Sequence, residues 1–155
     1  YSMLNKRWLV LGLATGTVAK IISKKYSPTS IVGVEIDPVM LDIGRKYFGL
    51  DAIPNLEIVN QDAQDYVLKT RDSFDFVLVD LYLGDQLPEF VYTRKFLGQL
   101  GKLGQLVIIN HLFYDEGKRQ KAKQLVELLS KIFTDVKLHR VLTNLMIICS
   151  QNRYN

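Results

Sequence analysis

Trp8-Leu9-Val10-Leu11-Gly12-Leu13-Ala14-Thr15-Gly16-Thr17 joins an apolar run to a glycine-bearing turn, and its reading decides the fold. Four bulky apolar residues in succession, without polar alternation, describe a strand covered on both faces, as parallel strands are. The glycines let the backbone turn a tight corner into a helix and approach a ligand closely. The turn is not a P-loop, because no Gly-Lys-Ser/Thr follows. A dinucleotide fingerprint wants small residues at offsets 0, 2 and 5. Here Gly12, Ala14 and Gly16 fall at 0, 2 and 4, with Thr17 at 5.

Outward from this stretch the pattern repeats. Ile31–Ile36, Leu56–Val59, Phe74–Val79 and Gln105–Ile109 are further apolar strands. Between them the spacing predicts helices near 17–25, 38–48, 63–70 and 89–100. A longer one near 115–133 carries Ala122, Leu125, Val126, Leu129, Ile132 and Phe133 on one stripe. Val136–Leu142 and Leu145–Ser150 are separated only by Thr143-Asn144, so they pair antiparallel. Strict alternation implies right-handed crossovers. The fold class is α/β: a Rossmann-like, doubly wound, seven-stranded sheet, mostly parallel with a C-terminal antiparallel hairpin. In such sheets ligands bind beyond the carboxyl ends of the strands, at the topological switch point. The loops to inspect are Gly12–Thr17, Glu35–Asp37, Asn60–Ala63, Asp80–Pro88 and Asn110–Tyr114.

With 155 residues, 48% of them hydrophobic, the chain is expected to form one domain over 1–155. One cysteine, Cys149, excludes an intramolecular disulfide framework, and two histidines, His111 and His139, argue against a protein-built metal centre. No run approaches a membrane span and no signal peptide opens the chain, so the expectation is a soluble cytoplasmic protein. The net charge of +4 divides unevenly: +2 over 1–60, −2 over 61–110 and +4 over 111–155. The last excess, chiefly Lys118, Arg119, Lys121 and Lys123, has no interleaved aromatics, and reads as a solvated helix face rather than a nucleic-acid stripe. Apolar strands at the sheet edge would support a homodimer.

Three loops carry a consistent chemistry. Gly12, Ala14, Thr15 and Gly16 resemble the G-x-G-x-G motif of class I S-adenosylmethionine (AdoMet)-binding transferases. Glu35 ends an apolar strand 19 residues after Gly16, where a carboxylate can accept both ribose hydroxyls. A buried carboxylate needs a partner of some kind, so pairing with a lysine is the competing explanation. Ile36 follows it on the cofactor side. Asp37-Pro38 is explained as an N-cap followed by proline at the first helical position. Asp62-Ala63 follows the third strand; in AdoMet enzymes an acid there meets the adenine amine and its neighbour's amide a ring nitrogen. Asp62-Ala63-Gln64-Asp65 also reads as a capping box, and both can hold.

Val34-Glu35-Ile36-Asp37-Pro38, Arg45-Lys46-Tyr47-Phe48, Asn60-Gln61-Asp62-Ala63 and Phe74-Asp75-Phe76-Val77-Leu78-Val79-Asp80 together resemble the spermidine synthase family. Asp80-Leu81-Tyr82, Pro88 and Thr93-Arg94-Lys95-Phe96 extend the likeness to the spermidine synthase-like branch of the AdoMet-dependent methyltransferase superfamily. The resemblance covers about residues 8–112. It implies AdoMet or decarboxylated AdoMet as donor, transfer of an alkyl group from a sulfonium, and Asp80 as catalytic base. Asp80 is also expected to touch the cofactor, Tyr82 to act beside it as a catalytic residue, and Tyr82 and Asp85 to line the acceptor pocket. A sulfonium is already electrophilic, so the protein's task is alignment of the acceptor and removal of its proton.

Aminopropyltransferases of the family read Gly-Gly-Gly-Asp/Glu-Gly in the first loop, where Thr15 replaces the acid, and Ser-Ser after the catalytic acid, where Leu81-Tyr82 stand. They also carry an N-terminal β-rich module, which is expected to be absent here, since about seven residues precede Trp8. The expectation is methyl transfer to a small or amine-bearing acceptor. The alternatives are aminopropyl transfer, a catalytically silent nucleoside-binding or assembly domain, and, last, nucleic-acid binding. His111, placed after the fifth strand beside Asn110, is within reach of the active-site cleft but reads first as a solvated or capping residue, His139 as structural and Cys149 as a small buried hydrophobe.

Overall fold

The computed structural model of the chain describes residues 2–151. β1 (Arg7–Leu11), β2 (Ser30–Glu35), β3 (Leu56–Asn60), β4 (Phe74–Val79) and β5 (Gly104–Leu112) are parallel, and β6 (Asp135–Val141) and β7 (Asn144–Ser150) close the sheet antiparallel. The order is β3-β2-β1-β4-β5-β7-β6. The chain reverses its direction of travel between β1 and β4, so the crevice for a ligand lies above their carboxyl ends.

Successive side chains of β1 feed two cores, as the two-residue period of a strand requires. Leu9 and Leu11 join Val77, Val79, Val107 and Ile109 beneath α3 (Ala63–Lys69), α4 (Arg94–Leu103) and α5 (Glu116–Leu129). Trp8 and Val10 join Ile31 and Phe76 beneath α1 (Thr17–Tyr26) and α2 (Pro38–Phe48). Trp8 stacks between Phe76 and Tyr26, with ring centroids 4.4 and 5.7 Å away. No helix among the described residues is long and apolar enough to cross a membrane.

Four boundaries differ in consequence from the sequence pattern. The expected helix 89–100 is a 3-10 turn, Glu89–Tyr92, followed by α4, because Thr93 leaves the helical region and caps Phe96 N–H through Oγ1. α5 stops at Leu129, short of Phe133. β5 runs on to Leu112, since Asn110, His111 and Leu112 find partners in Met146, Leu145 and Asn144 of β7. The β6–β7 turn is accordingly Leu142-Thr143, with Leu142 at φ 53° and Asn144 inside β7.

Candidate active site

The turn after β1 is stitched to both neighbouring strands. Gly12 and Leu13 donate their N–H groups to the Val34 carbonyl, each at 3.0 Å, and Asp80 N–H donates to the Leu11 carbonyl at 2.9 Å. Gly12 sits at φ 89°, and a Cβ there would overlap the carbonyl oxygen of Asp80, so the end of β4 passes directly against this glycine. Ala14 holds a left-handed φ of 49° at a cost of about 1–2 kcal/mol. Its N–H donates to Glu35 Oε2 at 2.8 Å. Gly16 caps α1 at φ 88°, where a Cβ would overlap Leu50. Thr15 lies with its backbone against Gly44 of α2.

These contacts divide the motif. Gly12 and Ala14 line a cleft of about 610 Å³ above β1 and β4, while Thr15 and Gly16 lie outside its lining and fix the turn against α1 and α2. Glu35, Ile36, Asp62, Ala63, Asp80 and Tyr82 line the same cleft, so eight of the ten sequence-designated residues converge there.

Glu35 is not paired with a lysine. Its Oε2 accepts from Ala14 N–H and its Oε1 from Asp37 N–H at 3.0 Å, which orients the carboxylate and leaves each oxygen a second lone pair. Asn60 Nδ2 bonds the carbonyls of Glu35 and Ile36 at 2.8 and 3.1 Å, fixing the exit from β2. Asp37 Oδ1 accepts from Val39 N–H at 2.8 Å, the expected N-cap of α2. Asp62 Oδ1 accepts from Gln64 N–H at 2.6 Å and Asp65 N–H at 3.3 Å. The reciprocal half of the capping box is missing, because Asp65 turns outward to Lys69 Nζ at 2.7 Å.

Asp80 Oδ1 accepts from Asn110 Nδ2 at 2.9 Å. Tyr82 O–H donates to the Asn110 carbonyl at 2.8 Å, so its one proton is engaged, and burial beside Asp80 raises its pKa and keeps the phenol neutral. Tyr82 also borders a second cleft, of about 420 Å³, between the loop after β4, the 3-10 turn and α5. Asp85 lines that cleft, held to Lys118 Nζ at 2.7 Å. Asp115 shares the same ammonium at 3.0 Å, and both carboxyls stay below their usual range through these bonds to Lys118.

His111 corrects the sequence reading: it lies within β5, 3% exposed, not in a solvated loop. Its Nδ1 bonds the Leu112 carbonyl and so carries the proton, and Nε2 accepts from Tyr92 O–H at 2.9 Å. Burial pushes its pKa down. Cys149 is fully buried, its thiol raised to about 12 by desolvation, which makes it a packing residue. Asn110, which opens one of the loops marked for inspection but was given no role, bonds Asp80, and Asn144, which the pattern did not single out, bonds Asn110. The one signal was an asparagine ending the apolar run Val107-Ile108-Ile109.

A seven-stranded sheet of this order, with its crevice at the β1/β4 switch, is the class I AdoMet-dependent methyltransferase fold. Residues 3–109 match the spermine/spermidine synthase domain, and the chain belongs to that family. It is 32% identical over 101 residues to a polyamine aminopropyltransferase of Vibrio vulnificus, a match covering 63% of this chain and 34% of the relative. It is 28% identical over 165 residues to an eEF1A lysine and N-terminal methyltransferase homolog of Drosophila melanogaster, covering 94% of this chain and 24% of the relative. The chain thus spans about a third or less of the length of these relatives. Human methyltransferase-like protein 13, solved in complex with SAH (S-adenosylhomocysteine), superimposes with a TM-score of 0.81 at 22% identity, over 98% of this chain and 74% of the other.

Proposed function

We propose that the 610 Å³ cleft binds an adenosyl sulfonium donor and that the protein transfers an alkyl group from it to an amine, with methyl transfer from AdoMet as the first reading. The observation carrying this is the charge of the cleft: Glu35, Asp37, Asp62 and Asp80 line it, and no lysine or arginine among the described residues does. A pyrophosphate-bearing dinucleotide would be repelled there, and a cationic nucleoside is attracted. The residues fit the donor group by group. Glu35 offers two oriented lone pairs to adjacent hydroxyls, the Ala63 amide at the start of α3 has no intrahelical acceptor, and Val34, Met40, Pro88 and Phe90 supply apolar walls.

When bound, the donor supplies an electrophilic carbon on a sulfonium. The protein's own part is to orient the acceptor amine and take its proton, which falls to Asp80, with Tyr82 as the wall between the donor cleft and the acceptor cleft beside α5. Thr15, in place of the acid of the aminopropyltransferase turn, supports AdoMet over its decarboxylated form, as does the length of the match to the methyltransferase homolog. A second reading, aminopropyl transfer, is favoured by the lining, which among the described residues offers no cationic side chain to the donor's carboxylate, and by the Vibrio relative.

Calorimetric titration with AdoMet, SAH, decarboxylated AdoMet and NAD separates these. Binding of AdoMet over the decarboxylated donor is expected. The reverse preference establishes the second reading, and preference for NAD, or binding of none, removes the proposal.

A further inference from the structure

We infer that Asn110 and Asn144 are positioning residues that aim the Asp80 carboxylate, through a one-directional hydrogen-bond chain running from the β6–β7 turn. Thr143 Oγ1 donates to Asn144 Oδ1 at 3.0 Å, Asn144 Nδ2 to Asn110 Oδ1 at 2.7 Å, and Asn110 Nδ2 to Asp80 Oδ1 at 2.9 Å. Each link determines the next. Because the Asn110 oxygen is committed to Asn144, its NH₂ is the end turned to Asp80, and a flipped amide would set oxygen against carboxylate. Bonds aligned head to tail polarise one another, so the last donor is stronger than an isolated amide.

The main chain holds the same residues from other directions. Asn110 pairs with Met146 and Leu112 with Asn144 across the β5–β7 ladder, and Tyr82 O–H fixes the Asn110 carbonyl. Phe113 N–H donates to the Thr143 carbonyl at 2.7 Å, tying the turn to the end of β5. With Oδ1 anchored, Asp80 keeps Oδ2 without a protein partner among the described residues, as the atom free to take the acceptor's proton. The antiparallel hairpin, far from Asp80 in sequence, therefore belongs to the site.

The inference rests on reading Asp80 as the carboxylate beside the donor's positive sulfur, and its test measures that reading separately. The readout is the ratio of AdoMet to SAH affinity by calorimetry, since the two ligands differ chiefly by the charge on sulfur and a loss of general stability weakens both alike. Asp80→Asn is expected to lower the ratio about tenfold, the scale of a bond to a charged group. Asn110→Ala is expected to lower it about threefold, and Asn144→Ala, which leaves Asp80 and Asn110 in place, in the same direction by less.

Should Asn110→Ala prove unstable, Asn144→Ala still decides, together with the solvent-exchange rate of the Asn110 side-chain NH₂ by NMR. That rate is expected to be slow in the parent and to rise on Asn144→Ala, and an unchanged rate counts against the chain. A ratio that falls in Asp80→Asn but stays level or rises in both asparagine variants overturns the positioning role and spares the site. A ratio unmoved by Asp80→Asn, or no binding of either ligand by the parent, overturns the reading of Asp80 and the inference with it.

Discussion

Gly12 and Glu35 show how closely single residues are bound to the geometry of the switch point. Gly12 and Gly49 both hold positive φ, but a Cβ at Gly12 meets the Asp80 carbonyl and one at Gly49 meets nothing within 4 Å. Gly49→Ala should therefore cost only left-handed strain, about 1–2 kcal/mol. Gly12→Ala should cost more than roughly 3 kcal/mol, because the overlapping atom is backbone and cannot swing away. Urea unfolding of the two variants makes the comparison, and equal losses would show that β4 does not press on the turn. Glu35→Gln keeps the side chain's shape but sets an NH₂ against one of the two backbone donors that now orient it. Donor affinity should fall at least tenfold, about 1.4 kcal/mol or more, by calorimetry with AdoMet. The glycines and Glu35 were legible in the sequence because an acid ending an apolar strand has few explanations. The left-handed Ala14 was not, since it depends on the bond its amide makes to a residue 21 positions away.

α3 carries a residue with two claims on it. Asp62 caps the helix and also faces the cleft, and the two roles come apart by substitution. Asp62→Ser keeps an N-cap acceptor and should leave stability within about 0.5 kcal/mol, whereas Asp62→Ala should lose about 1 kcal/mol. Both should weaken donor binding alike if the carboxylate meets the adenine; unchanged affinity in both would leave Asp62 a cap alone. Most elements were legible from periodicity, since bulky apolar runs and amphipathic stripes are local signals. The failures have two causes, one local and one tertiary. Thr93 ends the 3-10 turn by its own side-chain bond, and β5 outruns its apolar run because β7 supplies a ladder for Asn110 and His111, a partner more than thirty residues away. Asn110 therefore looked like a loop residue, although pairing makes it part of the sheet and of the site.

The mostly parallel sheet with its ligand loops at the carboxyl ends followed from alternation and the handedness of crossovers, whereas the strand order that sets the crevice between β1 and β4 depends on long-range pairing. The charge distribution was legible as a sum but not as a pattern: the basic residues of α5 mostly face acids, Lys118 on Asp85 and Asp115, Lys121 on Glu89 and Arg119 on Glu116. His111 was misread, and it governs how the folded state responds to acid. It is the buried polar side chain among the described residues, locked between Tyr92 and the Leu112 carbonyl, and its pKa lies below the ordinary 6.5 because burial disfavours the charged ring. The unfolded chain therefore takes up a proton near pH 6.5 that the folded protein still refuses. The stability His111 protects is fully present above that value and is lost as pH falls from it toward the lower folded pKa. Asp85 and Asp115, whose pKa values are lowered from 3.8, begin to lose their contribution only at more acid pH, so the onset of the decline near 6.5 belongs to His111. Urea midpoints should decline from pH 7 to pH 5.5 in the parent protein. In His111→Gln, which can still donate to the carbonyl and accept from Tyr92, the same interval should be flat. A parallel decline in both would move the acid response to another group.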